Sequence, residues 1–126
     1  MSQHSDADEL EQAIIERIRQ LGVAADPAFL VELIDSYTPL FEKHQASLVS
    51  SLEKRDRNKI HYAAHAIKGA SLNIGAGNLA DAARALEQQS ETGSFETIAT
   101  LLQELEHQMD RARGALRDVK TKMTTQ

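Results

Sequence analysis

The sequence contains no cysteine and no tryptophan, and it has only two prolines and six glycines among 126 residues. Without cysteine the chain has no disulfide, no thiolate nucleophile and no cysteine-ligated zinc. Aromatic residues make up 4% of the chain, which is less than a β-sandwich or β-barrel usually carries. Few prolines and glycines leave few sites for sharp turns. These scarcities together favour an all-α protein built from a few helices.

Long apolar runs and an excess of basic residues are also missing. No apolar stretch approaches the ~20 residues that span a bilayer, so we expect no membrane insertion. The net charge of −5 disfavours nucleic acid and anionic lipid as partners. The first ten residues are polar and acidic and lack the apolar core of a signal peptide. We therefore expect a cytoplasmic protein with a single domain, residues 1–126, whose ends are frayed at residues 1–7 and 120–126.

Apolar residues recur at helical spacing in five stretches. The predicted helices span about residues 8–21, 27–54, 57–74, 78–90 and 95–119. The predicted N-caps of the second, third and fifth helices are Asp26, Asp56 and Ser94. Pro39 falls inside the second helix and is expected to kink it without ending it. With short connections, the last four helices predict an antiparallel up-and-down four-helix bundle, and the short first helix is expected to cover one end as a lid.

The third predicted helix carries two stripes instead of one. Its apolar stripe consists of Ile60, Ala63, Ile67, Ala70 and Ile74. The stripe on the opposite side consists of His61, His65, Lys68, Gly69 and Leu72. A solvated stripe normally carries several charged residues of both signs, whereas this one has no carboxylate. Gly69 costs the helix about 1 kcal/mol relative to alanine and has no capping role there, which suggests a functional reason for it.

The residues around His65 suit one kind of chemistry. Lys68 lies three residues after His65 and is its neighbour on the helix surface. Its ammonium is expected to favour the neutral, nucleophilic imidazole and to stabilise a dianionic group on that ring. Gly69 leaves room for a partner to approach the imidazole. An exposed histidine with a cation, a glycine and no acid suits acceptance of a phosphoryl group, because that transfer depends on alignment and charge neutralisation.

The segment HAIKGASLNIGA, from His65 to Ala76, resembles the signature of histidine-containing phosphotransfer (HPt) domains, H-x-[LIF]-K-G-[SA]-[SA]-x-x-[LIV]-G. Leu79-Ala80 and Leu86-Glu87 also resemble the next helix of that family. The flanking helices match in length and order, which extends the resemblance to most of the chain. It implies a four-helix bundle with an N-terminal lid helix. It also implies a phosphorelay intermediate that takes a phosphoryl group from an aspartate of one receiver domain and passes it to an aspartate of another.

The resemblance also implies roles for single residues. By the motif match, His65 corresponds to the phosphoacceptor, through Nε2, Lys68 to the charge-stabilising lysine and Gly69 to the glycine that gives access. Such domains have no ATP site and no autokinase activity, and the Mg²⁺ used in transfer belongs to the receiver. We therefore expect no cofactor and no metal site in this chain. The implied partners are response-regulator receiver domains, a hybrid sensor kinase, or both, and the chain is expected to be a monomer.

The residues His61 and Leu72 each allow an alternative interpretation. His61 and His65 form an i, i+4 pair that could bind zinc, but their face offers no third ligand, which favours adventitious binding. His61 either borders the docking surface or has no role, and Leu72 is either a scattered apolar residue or part of a docking patch; docking is the prediction for both.

Two other functions and two settings also fit the sequence. One rival function is an adaptor or dimerisation element, which needs neither His65 nor Gly69. The other is a histidine phosphorylated directly by ATP, as in chemotaxis-type kinases, which requires further domains. A stand-alone protein and a piece of a hybrid sensor kinase both agree with the sequence.

Overall fold

The computed structural model of the chain describes residues 6–22 and 26–125, without the side chain of Asp6. Its five helices are α1 (Asp6–Gln20), α2 (Pro27–Glu53), α3 (Arg57–Ile74), α4 (Gly77–Gln89) and α5 (Phe95–Thr124). The all-α prediction is confirmed, and the helix bounds agree with the sequence patterns within two residues except at the end of α5. Of the expected frayed N-terminal residues, 1–5 lie outside the described part, while Asp6 and Ala7 belong to α1. No helix in the described part has an apolar segment able to cross a bilayer.

Side-chain caps begin three of the helices, as the sequence predicts. Each cap accepts a hydrogen bond from a backbone N–H two or three residues later, and the caps are Asp26, Asp56 and Ser94. The caps satisfy donors that the first helical turn leaves without an intrahelical partner. α2 runs through Pro39 as one helix, so the proline does not end it. Helices α2, α3 and α5 therefore begin at residues whose side chains favour the start of a helix.

Helices α2 to α5 close a ring around one core. α3 packs against α2 and α4, and α5 packs against α4 and α2. His61 of α3 contacts Ser90 at the end of α4, and Lys68 farther along α3 contacts the earlier residue Glu87. The two helices therefore run in opposite directions. The same reversed order of contacts relates α2 to α5. A bundle of this kind presents one face of each helix to the core and leaves the other to solvent.

The core reaches both sides of α2. Ile34 is buried, whereas Leu33 and Leu40 are only half-buried. The difference follows from packing, because α2 contacts α3 on one side and α5 on the other. His44, on the same helix, is half-buried. Burial, together with the neighbouring Lys43 ammonium, lowers the pKa of its imidazole.

The C-terminal helix is longer than the sequence pattern predicts. A frayed tail from residue 120 was expected, but α5 continues to Thr124. Lys120 Nζ contacts Asp35 Oδ1 of α2 at 2.8 Å, and Lys122 Nζ contacts Glu11 Oε2 of α1 at 2.9 Å. The hydrogen bond from Lys122 to Glu11 raises the pKa of that lysine. The prediction is wrong because these contacts join residues far apart in the chain, which periodicity alone does not detect.

The first helix packs on α5 and touches the C-terminal end of α3. Arg17 Nε donates a hydrogen bond to the carbonyl oxygen of Asn73 at 2.9 Å. Gly75 ends α3 with a φ of +87°, and a Cβ added there would lie 2.8 Å from the backbone oxygen of Ala13. A glycine at this position therefore serves both the left-handed turn and the close approach of α1.

Candidate functional site

His65 lies in the middle of α3 with 64% of its side chain exposed. The buried apolar residues of the same helix are Ile60, Ala63, Ala64, Ile67 and Ile74. Ala70, which was assigned to the apolar stripe, is half-buried. The prediction that His65 faces away from the core is confirmed. The helix thus presents its imidazole to solvent from a rigid element anchored by apolar packing.

A carboxylate from α4 joins the imidazole to the lysine. Nδ1 of His65 lies 2.5 Å from Oε2 of Glu87, and Nζ of Lys68 donates to Oε1 of the same residue at 2.6 Å. Only 13% of the Glu87 side chain is exposed. The hydrogen bonds from Lys68 and, to a lesser extent, from His65 lower the pKa of the Glu87 carboxyl against the opposing effect of burial. Glu87 is therefore ionised at neutral pH.

The sequence predicted a polar face without a carboxylate, and for the folded protein this prediction is wrong. α3 itself has no acid on that face, but the packing of α4 brings Glu87 to it. The Lys68 ammonium consequently contacts Glu87, which stands between it and the imidazole. The spacing of residues in the hairpin formed by α3 and α4 is a sequence signal for Glu87. His65 lies ten positions before Gly75, and Glu87 lies eleven positions after Ala76. Because the two residues are at nearly equal distances from the turn, they lie opposite each other when the antiparallel helices pack.

The carboxylate of Glu87 determines which nitrogen of His65 carries the proton. An ionised carboxylate only accepts hydrogen bonds, so its contact with Nδ1 requires a hydrogen on Nδ1. The neutral ring then has its lone pair on Nε2. No residue in the described part of the chain hydrogen-bonds to that Nε2 atom. The geometry therefore leaves a nucleophilic nitrogen exposed to solvent.

His61 lies one turn before His65 and is oriented in the same way. Its Nδ1 lies 3.3 Å from Oγ of Ser90. The two imidazoles are stacked, with centroids 6.3 Å apart and planes 12° apart. Among residues 6–22 and 26–125, no three His, Cys, Asp or Glu side chains form a group suited to a metal.

Exposed apolar side chains and an open glycine surround His65. Leu72 is 51% exposed and Tyr62 is 72% exposed. A Cβ added at Gly69 would meet no atom within 4 Å. Sequence reasoning singled out Leu72 and Gly69 but missed Tyr62, although Tyr62 lies only about 60° from His65 on the helical wheel. The surface therefore leaves space above the imidazole and exposes apolar area beside it.

The family model of the Hpt domain matches residues 4–115. No curated protein matches the chain, and no solved structure matches it. The matched range includes all of α1 to α4 and most of α5, together with the site described above. Domains of this family are phosphotransfer modules, not kinases, and they work with receiver domains in two-component phosphorelays. With nearly its whole length matched and an exposed histidine at the centre of its third helix, the chain belongs to the Hpt domain family.

Proposed function

We propose that the chain is a phosphorelay intermediate in which His65 accepts a phosphoryl group from a receiver-domain aspartate and passes it to an aspartate of another receiver domain. The observation that carries the proposal is the contact between Nδ1 of His65 and the Glu87 carboxylate, which leaves Nε2 as the exposed nucleophile. The partners are response-regulator receiver domains, a hybrid sensor kinase, or both. A monomeric state and a cytoplasmic location belong to the same proposal.

The forward step begins with the lone pair on Nε2 of His65. It attacks the phosphorus of the aspartyl phosphate, and the new N–P bond forms as the P–O bond to the aspartate breaks. The receiver aspartate leaves as a carboxylate. Nδ1 keeps its proton, so the imidazole gains positive charge, which the Glu87 carboxylate offsets. The reverse step passes the phosphoryl group to a second aspartate and restores the neutral ring, and no proton has to enter or leave it.

Lys68 and Gly69 support this transfer in different ways. Lys68 contacts Glu87 at 2.6 Å, and its role in this proposal is to offset the negative charge of the phosphoryl oxygens. Gly69 keeps the space above His65 free for the receiver. His61 and Leu72, together with Tyr62, border the docking surface. The Mg²⁺ used in the transfer is supplied by the receiver, so we assign no cofactor and no autokinase activity to this chain.

The two rival functions use fewer of the observed features. An adaptor requires a complementary surface, but it has no need for an exposed imidazole whose proton is fixed on one nitrogen by an ionised carboxylate. Direct phosphorylation by ATP uses the same imidazole but requires a kinase domain in addition. Transfer from a receiver accounts for the nucleophile, the balancing charge and the open approach with this chain and one partner.

The proposal is tested with a receiver domain phosphorylated by a small phosphodonor. Incubation should yield a phosphoprotein that is labile in acid and stable in base. His65→Gln should remove the label while the far-UV circular dichroism stays helical, and the exposed His107 provides the matched control, since His107→Gln should keep the label. Label that persists in His65→Gln contradicts the assignment. Label that arises from ATP alone contradicts the absence of autokinase activity.

A further inference from the structure

Glu87, which orients the imidazole of His65, lies in the last turn of a short helix. α4 has 13 residues and ends at Gln89, two positions after Glu87. The last four carbonyl groups of an α-helix have no partner within the helix, and helix ends open more readily than helix centres. A carboxylate in that turn keeps its place beside the imidazole only if the turn is held from outside. Contacts at the end of α4 therefore bear on the orientation of the nucleophile.

Arg57, the first residue of α3, donates hydrogen bonds to the end of α4. Its Nη1 atom lies 3.2 Å from the carbonyl oxygen of Ser90 and 2.8 Å from the carbonyl oxygen of Gly93. The acceptors are 33 and 36 positions away in the sequence, and both bonds are partly buried. Hydrogen bonds from a charged donor are stronger than those between neutral groups. The guanidinium thus ties the start of α3 to the chain that leaves α4.

The same turn is also held by contacts of its own residues. The hydroxyl of Ser90 donates to the carbonyl oxygen of Glu87 at 2.6 Å. The backbone N–H of Gly93 donates to the carbonyl oxygen of Gln89 at 2.8 Å. The carbonyl groups of Glu87, Gln89 and Ser90 thus all have partners, and Arg57 provides the link to another helix.

The ring of Phe95 supports the guanidinium of Arg57. Cζ of Arg57 lies 4.2 Å from the centroid of that ring, which is within the range of a cation–π contact. Cζ of Arg55 lies over the same ring at 4.7 Å. In the part of the chain that the structure describes, however, the side chain of Arg55 donates no hydrogen bond to the end of α4. Two arginines with the same aromatic partner therefore differ in the contact that concerns Glu87.

We propose that Arg57 is a positioning residue, which keeps the last turn of α4 in place and thereby holds the Glu87 carboxylate against Nδ1 of His65. Arg57 lies eight positions before His65, or about 12 Å along the helix axis, so it acts through Glu87 and not by contact with the imidazole. The inference rests on the proposed function of His65. It extends the site to the end of the bundle where α3 begins and α4 ends.

The test is a double-mutant cycle on the single-turnover rate of transfer from a phosphorylated receiver. Arg57→Ala should slow transfer by about fivefold, because the carboxylate then leaves the imidazole for part of the time. In Glu87→Ala the same substitution should change the rate by less than about twofold, since no carboxylate is left to position. Arg55→Ala removes an equal charge from the same ring and should leave the rate unchanged. Equal fold losses from Arg57→Ala in both backgrounds, or no loss in either, overturn the inference.

Nitrogen NMR of His65 gives a readout that lower stability alone does not change. At a pH where the imidazole is neutral, the wild type should show the hydrogen on Nδ1, and Arg57→Ala should show a mixture of the two tautomers. Arg57→Lys keeps a charged donor without the guanidinium fork, so its rate and tautomer should lie between those of the other two. It replaces Arg57→Ala in both measurements if urea unfolding shows that Arg57→Ala does not fold.

The outcomes separate this inference from the proposed function. If His65 is labelled in the wild type but its tautomer is the same in the folded Arg57 variants, the inference is overturned and the proposed function stands. If phosphoramidate and a phosphorylated receiver both fail to label His65 in the wild type, both proposals are overturned.

Discussion

The carboxylate of Glu87 in α4 accepts a hydrogen bond from Nδ1 of His65 in α3, with 2.5 Å between the two atoms. The residues lie 22 positions apart in the sequence, and only the packing of the two helices brings them together. The contact fixes the proton on Nδ1 and places a negative charge behind the ring. Glu87 is thus a positioning residue, which acts on the phosphoryl group through the imidazole.

Two substitutions of Glu87 should distinguish the contribution of its charge to the transfer rate from that of its hydrogen bond. Glu87→Gln keeps an acceptor for Nδ1–H but removes the charge, and we expect transfer to slow by about tenfold. Glu87→Ala removes both, and we expect about a hundredfold loss, since hydrogen bonds to charged groups contribute about 1.5–3 kcal/mol. Single-turnover transfer from a phosphorylated receiver measures the rates. The exposed neighbour Gln88 offers the control Gln88→Ala, and equal rates for Glu87→Ala and the wild type would refute the role.

Lys68 should tune the site without being essential to it. Lys68→Met removes the hydrogen bond that lowers the pKa of Glu87, so a carbon NMR titration should show that pKa rising. Transfer or the lifetime of the phosphohistidine should fall by about five- to tenfold, because one partly exposed cation is worth about 1–1.4 kcal/mol. Lys59→Met removes an exposed cation of the same helix and should change neither quantity. A complete loss of transfer in a folded Lys68→Met protein would show that the lysine does more than balance charge.

The lowered pKa of Glu87 also predicts how stability depends on pH. A carboxyl whose pKa is lower in the folded state stabilises the protein above the unfolded value of about 4.3, and the benefit is lost as the pH falls through the folded value. The difference in unfolding free energy between the wild type and Glu87→Gln should therefore be constant near neutral pH and shrink in acid. Urea unfolding at a series of pH values measures it. A difference that grows as the pH falls below 4 has the opposite sign and would contradict the assignment.

The two glycines of the motif should respond oppositely to substitution. Gly69 has open space around it, so Gly69→Ala should stabilise the protein by up to about 1 kcal/mol, and Gly69→Gln should still fold. The longer side chain should nevertheless block transfer from a receiver while leaving phosphoramidate labelling largely intact. Gly75→Ala should lower stability by at least about 1–2 kcal/mol, because its φ of +87° disfavours any side chain. Thermal unfolding and transfer are measured on the same samples. Wild-type transfer by Gly69→Gln would exclude an access role.

Leu72 should contribute to docking and not to chemistry. Burying roughly half of a leucine side chain is worth about 1 kcal/mol, so Leu72→Asp should weaken the apparent affinity for a receiver by about fivefold or more. The rate at saturating receiver should change much less. Val49 is 40% exposed on α2, and Val49→Asp provides a control away from His65. Equal effects of both substitutions would mean that the docking surface is elsewhere.

Periodicity predicts the parts of the structure that depend on neighbours along the chain. The solvent-facing side of α3 and the caps at Asp26 and Asp56 follow from local spacing, and each is confirmed. Glu87 and the extra turns of α5 depend instead on which distant residues pack together. A helical wheel describes one helix at a time, so it finds His65 but not the carboxylate that orients it. The partner helix has to be placed before the charge of the site is known.

Every contact that fixes the orientation of His65 lies within the single helical hairpin formed by α3 and α4. The side-chain hydrogen bonds to the imidazoles of His65 and His61 come from Glu87 and Ser90, and no described side chain of α1, α2 or α5 adds one. In evolutionary terms, the chemistry is confined to one compact module, whereas most of the remaining surface is free to diverge. Substitutions of exposed residues beside His65, such as Leu72, can therefore change which partners bind without changing the nucleophile. A lineage of such proteins can acquire new signalling connections while it keeps the same reaction.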